Sequence, residues 1–183
     1  MKLTHVDKDG KARMVDVGNK PDTERQAKAR GYVKMSREAY DLVRKGHGPK
    51  GDVFAVAKIA GIMGAKKTAE LVPLCHPLAI NFVDVVYDFG DSEQIIGITS
   101  TVRTKGPTGV EMEAITAVMI TALTIYDMCK AIDKGVELGP FYLLEKSGGK
   151  SGAYRRQGHG ARVTGHGTTV TRQTSSRRNV SGK

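Results

Sequence analysis

The chain has 183 residues, 39% of them hydrophobic and 26% charged, a balance that suits one compact domain and is too apolar for a disordered chain. It has no uncharged apolar run of about 18 residues, residues 1–7 lack the apolar stretch of a signal peptide, and two cysteines cannot build a disulfide framework. The expectation is a soluble cytoplasmic protein rather than a secreted, membrane-spanning or disulfide-stapled one. The net charge of +10 is unevenly placed. Residues 151–183 hold seven basic residues and no acid, leaving 22 basic against 19 acidic residues in 1–150. The tail reads as a disordered, solvated extension, with contact to nucleic acid or phosphate as the alternative.

In chain order, residues 13–17 and 31–35 alternate as short strands. Ser36 is an N-cap for a short helix that stops at Gly46, and His47-Gly48-Pro49-Lys50-Gly51 is a loop by its Gly and Pro content. Asp52 opens a longer helix over 52–71, closed by Pro73. Residues 82–89 and 94–104 form a hairpin around Gly90-Asp91-Ser92-Glu93. A second long helix runs over 111–134 and ends at Gly135, and 141–144 is a last strand. This order matches the split βαβ pattern, so the predicted fold is α+β: a ferredoxin-like sandwich with an antiparallel sheet packed by long helices. No internal repeat at a period of 20–50 residues is present.

The helix from Glu111 is apolar on most sides. At 100° per residue, one stripe carries Glu113, Thr116, Thr124, Asp127 and Lys134, with Lys130 beside it. The stripe is either a solvated face with an Asp127–Lys130 pair or a pocket wall with a proton acceptor beside a donor. Glu113 and Asp127 are separated by roughly 21 Å of helix, too far for one small ligand. If both act, the ligand is long or two copies of the chain share a site. Leu74-Cys75-His76-Pro77 places an imidazole on a turn stiffened by Pro73 and Pro77; it either exchanges protons or is satisfied by a backbone carbonyl. No zinc motif is present, and adjacent Cys75 and His76 do not make a nucleophile pair.

Lys50, Lys66, Lys67 and the Lys146-to-Gly152 loop are anion-binding candidates. The loop lacks the first P-loop glycine, which would fall at Leu144, and Gly158-His159-Gly160 fails the dinucleotide pattern at Val163. A basic ferredoxin-like domain could instead bind RNA. However, Arg30-Gly31-Tyr32 is followed by Val33-Lys34-Met35, which breaks the recognition signature, and 5% aromatic residues supply few stacking platforms.

Leu3-Thr4-His5, Met14-Val15-Asp16-Val17, Lys50-Gly51-Asp52-Val53-Phe54, Ile59-Ala60-Gly61-Ile62, Pro73-Leu74-Cys75-His76-Pro77-Leu78, Thr108-Gly109-Val110-Glu111-Met112-Glu113-Ala114, Leu123-Thr124-Ile125-Tyr126-Asp127-Met128-Cys129-Lys130 and the Leu144-to-Gly152 run together resemble the cyclic pyranopterin monophosphate synthase family. This is the MoaC family of molybdenum cofactor biosynthesis, and the resemblance covers residues 3 to about 155, leaving 156–183 as an added tail. It implies a lyase that converts 3′,8-cyclo-7,8-dihydro-GTP to cyclic pyranopterin monophosphate with release of diphosphate. It also implies a hexamer built as a trimer of dimers, with sites at the dimer interface. On the same resemblance Asp127, Lys130 and Lys50 would be catalytic. Leu74, Cys75, His76, Met112 and Glu113 would contact substrate, and Asp16, Arg25, Glu111 and Lys146 would line the pocket. No protein-bound metal or cofactor is implied; Mg²⁺ would enter only with the substrate triphosphate.

Overall fold

The computed structural model describes residues 9–46, 48–150 and 152–157. Leu3-Thr4-His5, His47, Ser151 and the tail from residue 158 lie outside the described residues.

The elements follow in the order β1 (Thr23–Lys34), α1 (Arg37–Arg44), α2 (Val53–Lys66), α3 (Thr68–Leu71), β2 (Ile80–Gly90), β3 (Ile95–Gly106), α4 (Glu111–Cys129), β4 (Glu137–Leu138), β5 (Tyr142–Ser147) and β6 (Tyr154–Arg155). The six strands form one antiparallel sheet ordered β2-β3-β1-β5-β6, with β4 paired to the end of β1. This is the ferredoxin-like α+β fold expected of the sequence.

Pleat alternation sends Ala27, Ala29 and Val33 of β1, Ile96, Ile98 and Val102 of β3, and Val85 of β2 into the core. There they meet Ala114, Val118, Ala122 and Ile125 of α4. The hydroxyls that enter this layer are satisfied: Ser100 Oγ donates to the Ala114 carbonyl at 2.7 Å and Thr104 Oγ1 to the Ala79 carbonyl at 2.7 Å. α2 crosses α4 closely because Gly61 and Gly64 lack side chains. A Cβ at Gly61 would lie 2.1 Å from Thr121 Oγ1, and one at Gly64 would lie 2.8 Å from Ile120 Cγ1. By length and composition α4 could cross a membrane, with a mean hydropathy of 1.4; here it is the central helix of the core.

The predicted elements are corrected in five places. Residues 13–17 form no strand; the Val15 carbonyl accepts a hydrogen bond from His76 instead of pairing in the sheet. β1 begins eight residues before Gly31, since its polar alternate residues face away from the helices. The helix expected over 52–71 breaks at Lys67, whose amide bonds back to Met63 and Gly64 before α3 starts. α4 ends at Cys129 rather than at Lys134, because the Asp133 carboxylate is drawn to the amides of Ser36 and Gly135, each at 2.7 Å. The last long strand covers Tyr142–Ser147, and the short β4 and β6 were not expected. The predicted Ser36 cap stands, its Oγ accepting from the Ala39 amide, and Asp52 caps the helix it was expected to open, its Oδ1 accepting from the Ala55 amide.

Candidate active site

Both ends of α4 carry chemistry. At its N-terminal end a cavity of about 580 Å³ lies between the start of β1, the Pro107–Val110 approach to α4 and the loop after β5. Lys20, Arg25, Lys146 and Lys150 line it. Val110 gives the helix no side-chain cap, so the first-turn amides and the positive end of the helix dipole add to this cationic wall. Two glycines hold the loop close. Gly148 has φ +95°, and a Cβ there would lie 2.1 Å from the Glu24 carbonyl oxygen. Gly149 has φ +74°, and its Cβ would lie 2.0 Å from an Arg25 guanidinium nitrogen. Arg25 in turn donates to the carbonyls of Gly106 at 2.8 Å and Pro107 at 2.9 Å, tying β1 to the end of β3. Lys146 Nζ lies 2.7 Å from Glu111 Oε1, bridging the loop to the helix.

A second cavity of about 290 Å³ adjoins the first, sharing Lys20, Thr108, Gly109 and Glu111. Its other walls are Val15, Val17, Leu74, Cys75, His76, Leu78, Met112 and Glu113. The His76 turn is tied down: Nε2 donates to the Val15 carbonyl at 2.6 Å. Burial raises the Cys75 thiol above its ordinary value, with Glu113 adding to the shift, so it stands as a thiol rather than a thiolate.

Glu113 is 4% exposed. Desolvation raises its carboxyl pKa, the bond from its own amide opposes this, and Glu111 adds to the rise. Its place in the first turn of α4 favours the anion by about 0.3–1 kcal/mol, less than the several kcal/mol that burying an unpaired carboxylate costs. Burial therefore decides the direction.

Asp127 closes the other end of α4. Lys130 Nζ lies 2.7 Å from Asp127 Oδ1, and Lys50 Nζ lies 2.7 Å from Oδ2 and 3.1 Å from the Asp127 carbonyl. Lys50 reaches it from a tight turn closed by reciprocal Gly48 and Gly51 hydrogen bonds of 2.9 and 3.0 Å. The Lys130 and then the Lys50 ammonium hold the Asp127 carboxyl down at about 2, and Asp127 pushes Lys130 up. All three side chains are about half exposed, so the cluster faces outward.

The structure thus gathers Arg25, Leu74, Cys75, His76, Glu111, Met112, Glu113 and Lys146 around one cleft, and Lys50, Asp127 and Lys130 into a separate cluster. Asp16 joins neither: its carboxylate accepts from the Gly18 amide at 2.8 Å beside the cleft. Lys66 lines a third cavity of about 120 Å³ behind His76 and Glu113. Sequence reasoning missed Lys20, common to both larger cavities, and Thr23, whose buried hydroxyl has no hydrogen-bond partner among the described residues. Nothing around either residue in the sequence distinguishes it from an ordinary polar segment. Among the described residues no group of three or more His, Cys, Asp and Glu could hold a metal ion.

A family model described as the MoaC family matches residues 14–149. Curated relatives named cyclic pyranopterin monophosphate synthase include one from Geobacillus kaustophilus, 54% identical over 158 residues that span 85% of this chain and 97% of the relative. One from Heliobacterium modesticaldum is 55% identical over 155 residues, 85% of this chain and 98% of the relative. One from Peptoclostridium acidaminophilum is 50% identical over 157 residues, 86% and 99% respectively.

Proposed function

Because the chain belongs to the MoaC family, we propose that it converts 3′,8-cyclo-7,8-dihydro-GTP to cyclic pyranopterin monophosphate with release of diphosphate, a lyase step of molybdenum cofactor biosynthesis. One observation in the structure supports this reading most directly: the two adjoining cavities differ in chemistry as the two halves of such a nucleotide do. The larger, with Lys20, Arg25, Lys146 and Lys150, suits a triphosphate. The smaller, with His76, Met112 and Glu113, suits a bicyclic ring.

The reaction must hydrolyse and rearrange the purine-derived ring. A sugar hydroxyl must then form a bond to the α-phosphorus as the bond to the diphosphate oxygen breaks. Proton transfer falls to His76 in the cleft and to the Asp127–Lys130–Lys50 cluster. With both of its oxygens held by lysines, Asp127 sets the positions of Lys50 and Lys130, and it accepts a proton only when a bound ligand draws one of them away. If Mg²⁺ takes part, it arrives with the triphosphate.

The cluster lies roughly 21 Å along α4 from Glu113. We place it in the same site through a second copy of the chain. The outward faces of α2 and α4 expose Val56, Ile59, Met63, Met119 and Leu123, an apolar surface suited to a copy of itself. A two-fold axis near Ile120, midway between Glu113 and Asp127, would set one copy's cleft beside the other's cluster. Three such pairs would make the hexamer that the resemblance implies, in the cytoplasm.

The test is diphosphate release by the purified protein from 3′,8-cyclo-7,8-dihydro-GTP, with GTP as control and the pterin followed by fluorescence after oxidation. Turnover of the cyclic nucleotide and not of GTP is expected. A folded oligomer that turns over neither would overturn the reading.

A further inference from the structure

Glu113 stands apart from the other acids of the site. Glu111 is paired to Lys146 and Asp127 to two lysines, whereas among the described residues no cation lies within ion-pair distance of Glu113. It is also the most buried: with His76 and Leu78 it forms the wall between the smaller cavity and the cavity of about 120 Å³ beside it. Lys66 and Glu70 line that rear cavity, Cys75 and Lys20 line the front one with Glu113, and Glu111 lies two residues earlier on the same helix.

We propose that Glu113 meets its ligand as a neutral carboxylic acid, a hydrogen-bond donor that selects a carbonyl oxygen or an unprotonated ring nitrogen at the closed end of the smaller cavity. The proposal rests on the reading that this cleft takes the cyclic nucleotide. Two carboxyls two residues apart then have different surroundings, one paired with a lysine and the other kept neutral by burial. A carboxylate at this depth would prefer N–H groups; the acid prefers their acceptor counterparts. Ligand tautomer and ring oxidation state are thereby read at one side chain.

The first experiment follows the carboxyl carbons of ¹³C-glutamate-labelled protein by NMR through a pH titration, with no ligand present. The Glu113 signal is assigned by its loss in Glu113→Gln, or in Glu113→Asp should the Gln variant not fold. It is expected to titrate above the ordinary glutamate value of about 4.3; titration at or below that value would overturn the proposal. The second measures KM for the cyclic nucleotide in wild type across the pH range of that titration. A donor gives a KM that rises with pH, tenfold per unit beyond the Glu113 transition, and the rise is absent in Glu113→Gln. A KM that falls with pH means that a carboxylate does the binding, and it overturns the donor role. A wild type that turns over no cyclic nucleotide defeats the functional reading, while the carbon titration still decides the proton.

Discussion

Asp127 and Glu113 lie on one stripe of one helix, yet their surroundings push them in opposite directions. Asp127, half exposed between two lysines, is held near 2. The stability it contributes is present above the ordinary carboxylate value of about 3.9 and is lost as pH falls through about 2. Asp127→Asn should lower kcat/KM for pyranopterin formation by about 10²- to 10⁴-fold, with a Tm shift below about 4 °C because exposed pairs stabilise little; unchanged turnover would remove Asp127 from the mechanism. Glu113 has a raised carboxyl pKa, so the sign reverses: its contribution is full below the ordinary glutamate value and is lost as pH rises through the folded one. The Tm of Glu113→Gln minus that of wild type should therefore grow with pH over this window by differential scanning fluorimetry. The sequence placed both acids at the right angle on the helix. It could not show that the His76 turn covers only one of them, since that cover comes from residues 35 or more positions away.

At the scale of elements, periodicity and capping marked α1, the start of α2 and the hairpin of β2 and β3, because those signals are local. What they missed is tertiary. α4 stops at Cys129 because Asp133 is claimed by Ser36, 97 residues earlier. β1 starts at Thr23 because a full-length partner in β3 pairs with every residue from Thr23 to Lys34, which its own mixed polar sequence does not announce. The crossing of α2 over α4 depends on Gly61. Gly61→Val should destabilise the fold by about 1–3 kcal/mol through overpacking against Thr121, read as a lower urea midpoint at constant m-value. Since α4 positions both Glu113 and Asp127, activity should fall with it.

For the whole molecule, the decisive question is whether the two ends of α4 meet across copies. His76→Ala removes a side chain at one end and Asp127→Asn one at the other. Each variant alone is expected to be inactive; dissociated, mixed and reassociated, the pair should regain about a quarter of wild-type activity. Half of randomly formed pairs are mixed, and each mixed pair has one intact site of two. No recovery, with mixed pairs demonstrated by mass spectrometry, would place each site within a single chain. The helix length and the stripe raised this question from the sequence, which left a long ligand or a shared site as the two answers. The surface that would join the copies became visible only once α2 was seen to leave Val56, Ile59 and Met63 on the same outer layer as Met119 and Leu123.

That exposed apolar layer also bears on how the protein behaves when it is scarce. If a neighbour completes the site, active sites form with the square of chain concentration below the dissociation constant. Catalytic output then follows the amount of protein as a threshold rather than in proportion. A cell holding few copies would make almost no pterin, and a modest rise in expression would switch synthesis on.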